Sequence, residues 1–162
     1  MRYHNITKDD MLNGDGLRVV LWTAGCSHGC EGCHNPVTWD AKGGLPFDAE
    51  AWEEVRRELS KDYISGITLS GGDPLYPENR EEMGQLIARI RQEFPEKTIW
   101  LYTGYTWEKI KDLPFIPQLD VIVDGRFVLA LKDNTLKWKG SANQRVIDVK
   151  ESLKRGCAVC RN

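Results

Sequence analysis

The stretch Leu17-Arg18-Val19-Val20-Leu21-Trp22-Thr23-Ala24-Gly25-Cys26-Ser27-His28-Gly29-Cys30-Glu31-Gly32-Cys33 sets the organisation of the whole chain. Its first eight residues are rich in β-branched and aromatic side chains and predict a buried strand. Its last eight place three cysteines four and then three residues apart, in the loop that leaves that strand. Three thiolates so close in sequence can meet at one soft metal centre, but they do not complete a four-ligand set. Cysteine thiolates hold iron–sulfur clusters, and a four-iron cluster with three cysteines keeps one iron open to an outside ligand. The competing reading is a closed zinc site of the Cys₃His kind, completed by His28 or His34. A redox pair Cys30-Glu31-Gly32-Cys33 would leave Cys26 without a role.

Outward from this stretch, strands and helices alternate. Asn13-Gly14-Asp15-Gly16 is a turn before the first strand, and residues 2–16 are otherwise polar. Asp48 is placed as a helix N-cap, with Phe47 and Trp52 set for a hydrophobic staple and Trp52, Val55 and Leu59 on one face. Residues 64–70 predict a second strand, ending in Gly71-Gly72-Asp73-Pro74. A helix of about 15 residues follows, ~22 Å long, with the stripe Met83, Leu86, Ile87, Ile90 and Phe94, and Pro95 stops it. Residues 98–102 form a third strand before Thr103-Gly104-Tyr105, and Thr106 is placed to cap a short helix carrying Trp107 and Ile110. Residues 119–125 and 144–149 supply a fourth strand and a last one.

This pattern predicts one α/β domain over residues 1–162, with residues 150–162 as a tail carrying Cys157 and Cys160. Four or five strands are too few for a closed eight-stranded barrel, which needs about 250 residues. The expected architecture is a partial, open (β/α) barrel with a mostly parallel, curved sheet. The loops at Cys26–Cys33, Ser70–Pro74 and Tyr102–Tyr105 all follow strand C-termini, the edge where such sheets gather ligands. A formal net charge of -2 gives no basic field for nucleic acid. No apolar run approaches the ~20 residues of a membrane span, and the polar start Met1-Arg2-Tyr3-His4-Asn5 is no signal peptide. A cytoplasmic location is expected. The odd count of five cysteines argues against a disulfide framework there.

The spacing C-x3-C-x2-C, followed by a strand ending in Gly-Gly-acidic, resembles the radical S-adenosylmethionine superfamily. Within it, five segments resemble the activating proteins of anaerobic ribonucleotide reductase. They are Ala24-Gly25-Cys26…Gly32-Cys33-His34-Asn35-Pro36, Ser70-Gly71-Gly72-Asp73-Pro74-Leu75, Tyr102-Thr103-Gly104-Tyr105, Val123-Asp124-Gly125-Arg126-Phe127 and Gly140-Ser141-Ala142-Asn143-Gln144-Arg145. They span about residues 13–148. Two positions depart from the superfamily pattern. Gly32 stands where an aromatic residue commonly precedes the third cysteine, with His34 after it, and Asp73 replaces the commoner glutamate.

The resemblance implies that Cys26, Cys30 and Cys33 hold three irons of a [4Fe-4S] cluster, and that S-adenosylmethionine chelates the fourth. Gly71, Gly72 and Asp73 are expected at its methionine end. Gly32, Cys33, His34, Tyr102 and Asp124 are the other candidate cofactor contacts, and His28 is read as a solvent-facing loop residue. One-electron cleavage of the cofactor would give a 5′-deoxyadenosyl radical, which takes a Cα hydrogen from a glycine of the partner. No side-chain acid or base is assigned. The implied partners are the large, glycyl-radical subunit of the reductase and a low-potential one-electron donor such as a flavodoxin or ferredoxin. The alternatives are another small radical enzyme, of the 7-deazaguanine synthase type, and a non-catalytic zinc-binding interaction module.

Overall fold

In the computed structural model, which describes residues 1–161, four strands lie parallel at the centre of one sheet. They are β2 (Arg18–Thr23), β4 (Gly66–Gly71), β5 (Thr98–Tyr102) and β6 (Val121–Asp124). Antiparallel strands flank them: β1 (Arg2–Asp10) and β3 (Leu45–Pro46) on one side, β7 (Arg145–Asp148) on the other. The order is β3-β1-β2-β4-β5-β6-β7, and the sheet does not close. The mixed α/β character and the open, parallel centre agree with the sequence reading, but among the described residues the strands number seven rather than four or five. The polar segment 2–10 is the main surprise. It buries Ile6 alone, and its strand character comes from backbone pairing with β2 and β3 rather than from an apolar face.

The register explains why the loops of interest meet. Trp22 pairs with Ser70 and Thr23 with Gly71, while Tyr102 pairs with Val123. Parallel neighbours end together, so the segments after β2, β4, β5 and β6 leave at one edge.

Helix α1 (Ala49–Leu59) starts at Asp48, whose carboxylate accepts the Ala51 N–H at 3.0 Å. It buries Trp52, Val55 and Leu59, and α2 (Arg80–Glu93) buries Met83, Leu86, Ile87 and Ile90. These faces meet Val19, Leu21, Ile67, Leu69, Ile99, Leu101 and Ile122 of the sheet in the main core. Each side chain of this size contributes about 1.5–3 kcal/mol by leaving water. The short α3 (Trp107–Ile110) has no side-chain cap from Thr106, contrary to expectation. Asp124 Oδ2 does that work, accepting the Trp107 N–H at 2.8 Å.

Of the segment read as a tail, residues 150–161 are structured, and residue 162 lies outside the described residues. Helix α4 (Val149–Arg155) runs from the Asp148 cap to Gly156, which adopts the left-handed conformation glycine favours. The chain then returns along β7, where Asp148 N–H donates to Val159 at 2.9 Å and Arg161 N–H to Val146 at 2.8 Å.

The opposite face of the sheet carries a smaller cluster of Trp100, Val121 and Val123 packed against Trp138. Arg18 is fully buried there, at the strand starts and away from the cysteine loop. Its guanidinium lies 5.5 Å from the Trp100 ring centre and donates to Thr68 Oγ1, Thr98 Oγ1 and the carbonyls of Asp15, Ile67 and Thr98. Burial lowers its pKa to about 10. Saturated hydrogen bonding is what makes this buried cation tolerable.

Candidate functional site

The cysteine loop, the Gly-Gly turn and the ends of β5 and β6 enclose a cavity of about 130 Å³. Cys26, Cys30, Cys33 and His34 line it from the loop, and Ser70, Gly71 and Gly72 from the turn after β4. Tyr102, Thr103 and Gly104 line it from β5, and Gly125, Arg126 and Phe127 from beyond β6. A larger cavity of about 680 Å³ adjoins it and shares His28, Gly104, Gly125 and Arg126.

All three cysteines are free thiols and partly buried. Burial pushes the Cys26 thiol up, opposed by the nearby His28 backbone amide, with Asp73 and the other two thiols adding to the rise. Cys33 Sγ accepts the Asn35 N–H at 3.4 Å. Two sulfurs thus already face backbone amides, the donors that an anionic sulfur site uses. Among the described residues no three His, Cys, Asp or Glu side chains converge as a single-ion site. A zinc site draws its sulfurs to about 2.3 Å from one point, whereas a four-iron cluster takes one thiolate at each iron. Three half-buried thiols lining one cavity, with amides on two of them, suit the cluster.

The glycines of the turn are required by their own surroundings. Gly71 has φ +114°, and a Cβ there would collide with the Thr23 backbone. A Cβ on Gly72 would lie 2.6 Å from the carbonyl oxygens of Gly25 and Thr38. The turn packs directly on the strand that feeds the cysteine loop: Gly72 N–H donates to Thr23 at 2.9 Å and Asp73 N–H to Gly25 at 2.7 Å.

The remaining candidates divide. Asp73 is 1% exposed and lies beneath the cavity. Its Oδ2 meets His28 Nε2 at 2.6 Å and accepts from Thr103 Oγ1 at 3.0 Å and the Gly104 amide at 2.9 Å, while Oδ1 accepts the Leu75 amide at 2.9 Å. It orders three loops. Tyr102 lines the cavity, with its hydroxyl donating to the Trp138 carbonyl at 2.6 Å and burial pushing its pKa up. Gly32 is exposed and does not line the cavity; a Cβ there would meet Leu129 Cδ1 at 2.8 Å. Asp124 lines the larger adjoining cavity rather than the cysteine cavity, its carboxylate paired with Arg145 at 3.1 Å from Nε and 2.5 Å from Nη2. That pair, with Glu108 beside it, raises the Arg145 pKa. His28 is not solvent-facing. Its ring is largely buried against Tyr105, centroids 4.6 Å apart, and bonded to Asp73.

A family profile described as a 4Fe-4S single cluster domain matches residues 12–147. The anaerobic ribonucleoside-triphosphate reductase-activating protein of Enterobacteria phage T4 is 49% identical over 146 residues, covering 90% of this chain and 93% of its own. The chain belongs to the family of anaerobic ribonucleoside-triphosphate reductase-activating proteins. Members from Escherichia coli (strain K12) and Vibrio cholerae are 41% and 40% identical, over 90% and 89% of this chain and 97% and 96% of theirs. The matched range runs from the turn before β2 into β7, so every residue lining the cysteine cavity lies inside it. The reductase-activating family also frames what the sequence reading missed. Trp39 lines the cavity through tertiary folding with no signature of its own, and Thr103, Gly104, Arg126 and Phe127, read only as parts of a loop or segment, line it individually. Among the described residues, no helix is long and apolar enough to cross a membrane.

Proposed function

We propose that this protein is a radical S-adenosylmethionine enzyme that activates an anaerobic ribonucleoside-triphosphate reductase by installing a glycyl radical on its large subunit. The observation that carries this reading is the meeting, in one cavity, of three free thiols and the Gly71-Gly72 turn at the ends of parallel strands. Residues 1–162 act as one domain, a partial open barrel with its active site at the strand C-terminal edge. Cys26, Cys30 and Cys33 hold three irons of a [4Fe-4S] cluster. When bound, cluster and cofactor would supply one-electron reductive cleavage of the sulfonium with release of methionine, and with it the radical equivalent needed to remove a Cα hydrogen from the reductase glycine.

The chain itself binds, orients and shields. Ser70, Gly71 and Gly72 line the cavity, and their backbone would receive the methionine end. Asp73 acts from below by fixing the turn, its oxygens already taken by four donors. Tyr102, Trp39 and Phe127 exclude water from the walls. No side chain has to move a proton, so no general acid or base is needed. The electron comes from a low-potential donor of the flavodoxin or ferredoxin type, in the cytoplasm.

The test is electron paramagnetic resonance of the anaerobically reconstituted protein mixed with reductase, reductant and S-adenosylmethionine. A glycyl doublet with stoichiometric 5′-deoxyadenosine is expected, and Cys26→Ala, Cys30→Ala or Cys33→Ala should each abolish both. A brown, iron-loaded protein that forms neither, or a purified protein carrying one zinc, would overturn the proposal.

A further inference from the structure

Between its two ends, the loop that carries the thiols is hydrogen-bonded to the rest of the described fold through one residue. Residues 27–34 have no helix or strand, and Ser27, Gly29, Glu31, Gly32 and His34 are exposed. The chain enters through Gly25 and Cys26, whose amides bond to Thr38 and Trp39, and leaves through Asn35. Between those points, among the described residues, every hydrogen bond to a residue outside the Cys26–Asn35 loop is made by His28. Its Nε2 meets Asp73 Oδ2 at 2.6 Å, and its carbonyl accepts from the Arg126 guanidinium. Its ring packs edge-on to Tyr105 and so closely on Gly104 that a Cβ there would lie 2.5 Å from the imidazole. His28 lies between Cys26 and Cys30, while Asp73 directly follows the two glycines of the turn.

We infer that His28 is a positioning residue that sets the distance and angle between the cysteine loop and the Gly71-Gly72-Asp73 turn. It rests on the proposed cofactor reading and adds a residue to it. The thiols alone are enough to hold a cluster. Registering that cluster against the turn that receives the methionine end requires a fixed link between loop and turn, and the His28–Asp73 bond is that link. The bond is short and shielded, and the Thr103 hydroxyl and Gly104 amide occupy the same oxygen, so Asp73 cannot swing to follow a displaced loop.

The test compares His28→Gln, His28→Asn and His28→Ala in the reconstituted full chain. Gln places an amide nitrogen about where Nε2 lies, whereas Asn is one methylene shorter and falls short of Asp73. Iron content and the resonance of the reduced cluster without S-adenosylmethionine are expected to match wild type in Gln and Asn. The cofactor-induced change in that resonance, followed by titration, should need about tenfold more S-adenosylmethionine in Asn and Ala, and within about threefold of wild type in Gln. In a cycle with Asp73→Asn, the double variant His28→Ala/Asp73→Asn should be no weaker than the poorer single one. Equal titrations for Gln and Asn, or strictly additive losses in the cycle, would overturn the inference. If the wild-type signal itself does not respond to S-adenosylmethionine, the proposed function fails instead. If His28→Ala does not fold, the Gln–Asn comparison still decides.

Discussion

At the scale of single residues, the Gly-Gly turn shows how one sequence feature serves two ends. A glycine pair at a strand end reads equally as an approach for ligand or as a tight turn. The geometry makes the second compulsory, since the missing Cβ atoms are what let the turn sit on Thr23 and Gly25. Gly71→Ala should therefore cost at least about 3 kcal/mol, from a positive φ and a backbone collision together. Gly29→Ala, at φ +60° with nothing within 4 Å of the added Cβ, should cost about 1–2 kcal/mol. Urea unfolding of the cluster-free protein measures both, and equal midpoints would refute the steric account. His28 is the residue the sequence hid. Its partner is 45 positions away, and no local pattern distinguishes a histidine aimed at solvent from one aimed at Asp73.

At the scale of elements, what was legible followed burial. β2, β4, β5 and β6 are near-continuous apolar runs because both their faces are covered, and they stood out. The stripes of α1 and α2 stood out for the same reason. β1 and β3 did not, because their stability lies in backbone pairing, which composition does not record. The cap of α3 was misassigned to the adjacent Thr106 because Asp124 arrives from another element. Asp124 joins β6, α3 and β7 through one carboxylate, bonded to the Trp107 amide and the Arg145 guanidinium. Asp124→Ala should cost about 2–3 kcal/mol, as the cap is lost and Arg145 keeps only the exposed Glu108. Asp124→Asn, which retains an acceptor for the amide, should cost about 1 kcal/mol. Denaturant midpoints of the two variants check this, and the order Asn worse than Ala would refute it.

At the scale of the whole molecule, core and site are separate. The buried cluster between sheet and helices contains no cysteine. A chain with Cys26, Cys30 and Cys33 all replaced by serine should keep its circular dichroism spectrum and cooperative unfolding, within about 1 kcal/mol of the cluster-free wild type, while binding no iron. Non-cooperative melting of that variant would show instead that the thiols support the fold. The two-residue β3, with Pro46 in it, has a consequence for how copies of the chain behave at high concentration. An unclosed sheet would ordinarily present two ladders of free amides and carbonyls, each a template for another molecule. Here β3 covers only Arg2 and Tyr3 of β1, and the rest of that edge is broken by two register irregularities and Asp9 at positive φ, and carries Lys8, Asp9 and Asp10. The other is covered by the molecule's own residues 159–161, which take up backbone groups of Val146 and Asp148. The sheet stays open toward its ligands and blunt at its flanks, a protection against edge-to-edge polymerisation that a closed barrel obtains by closure.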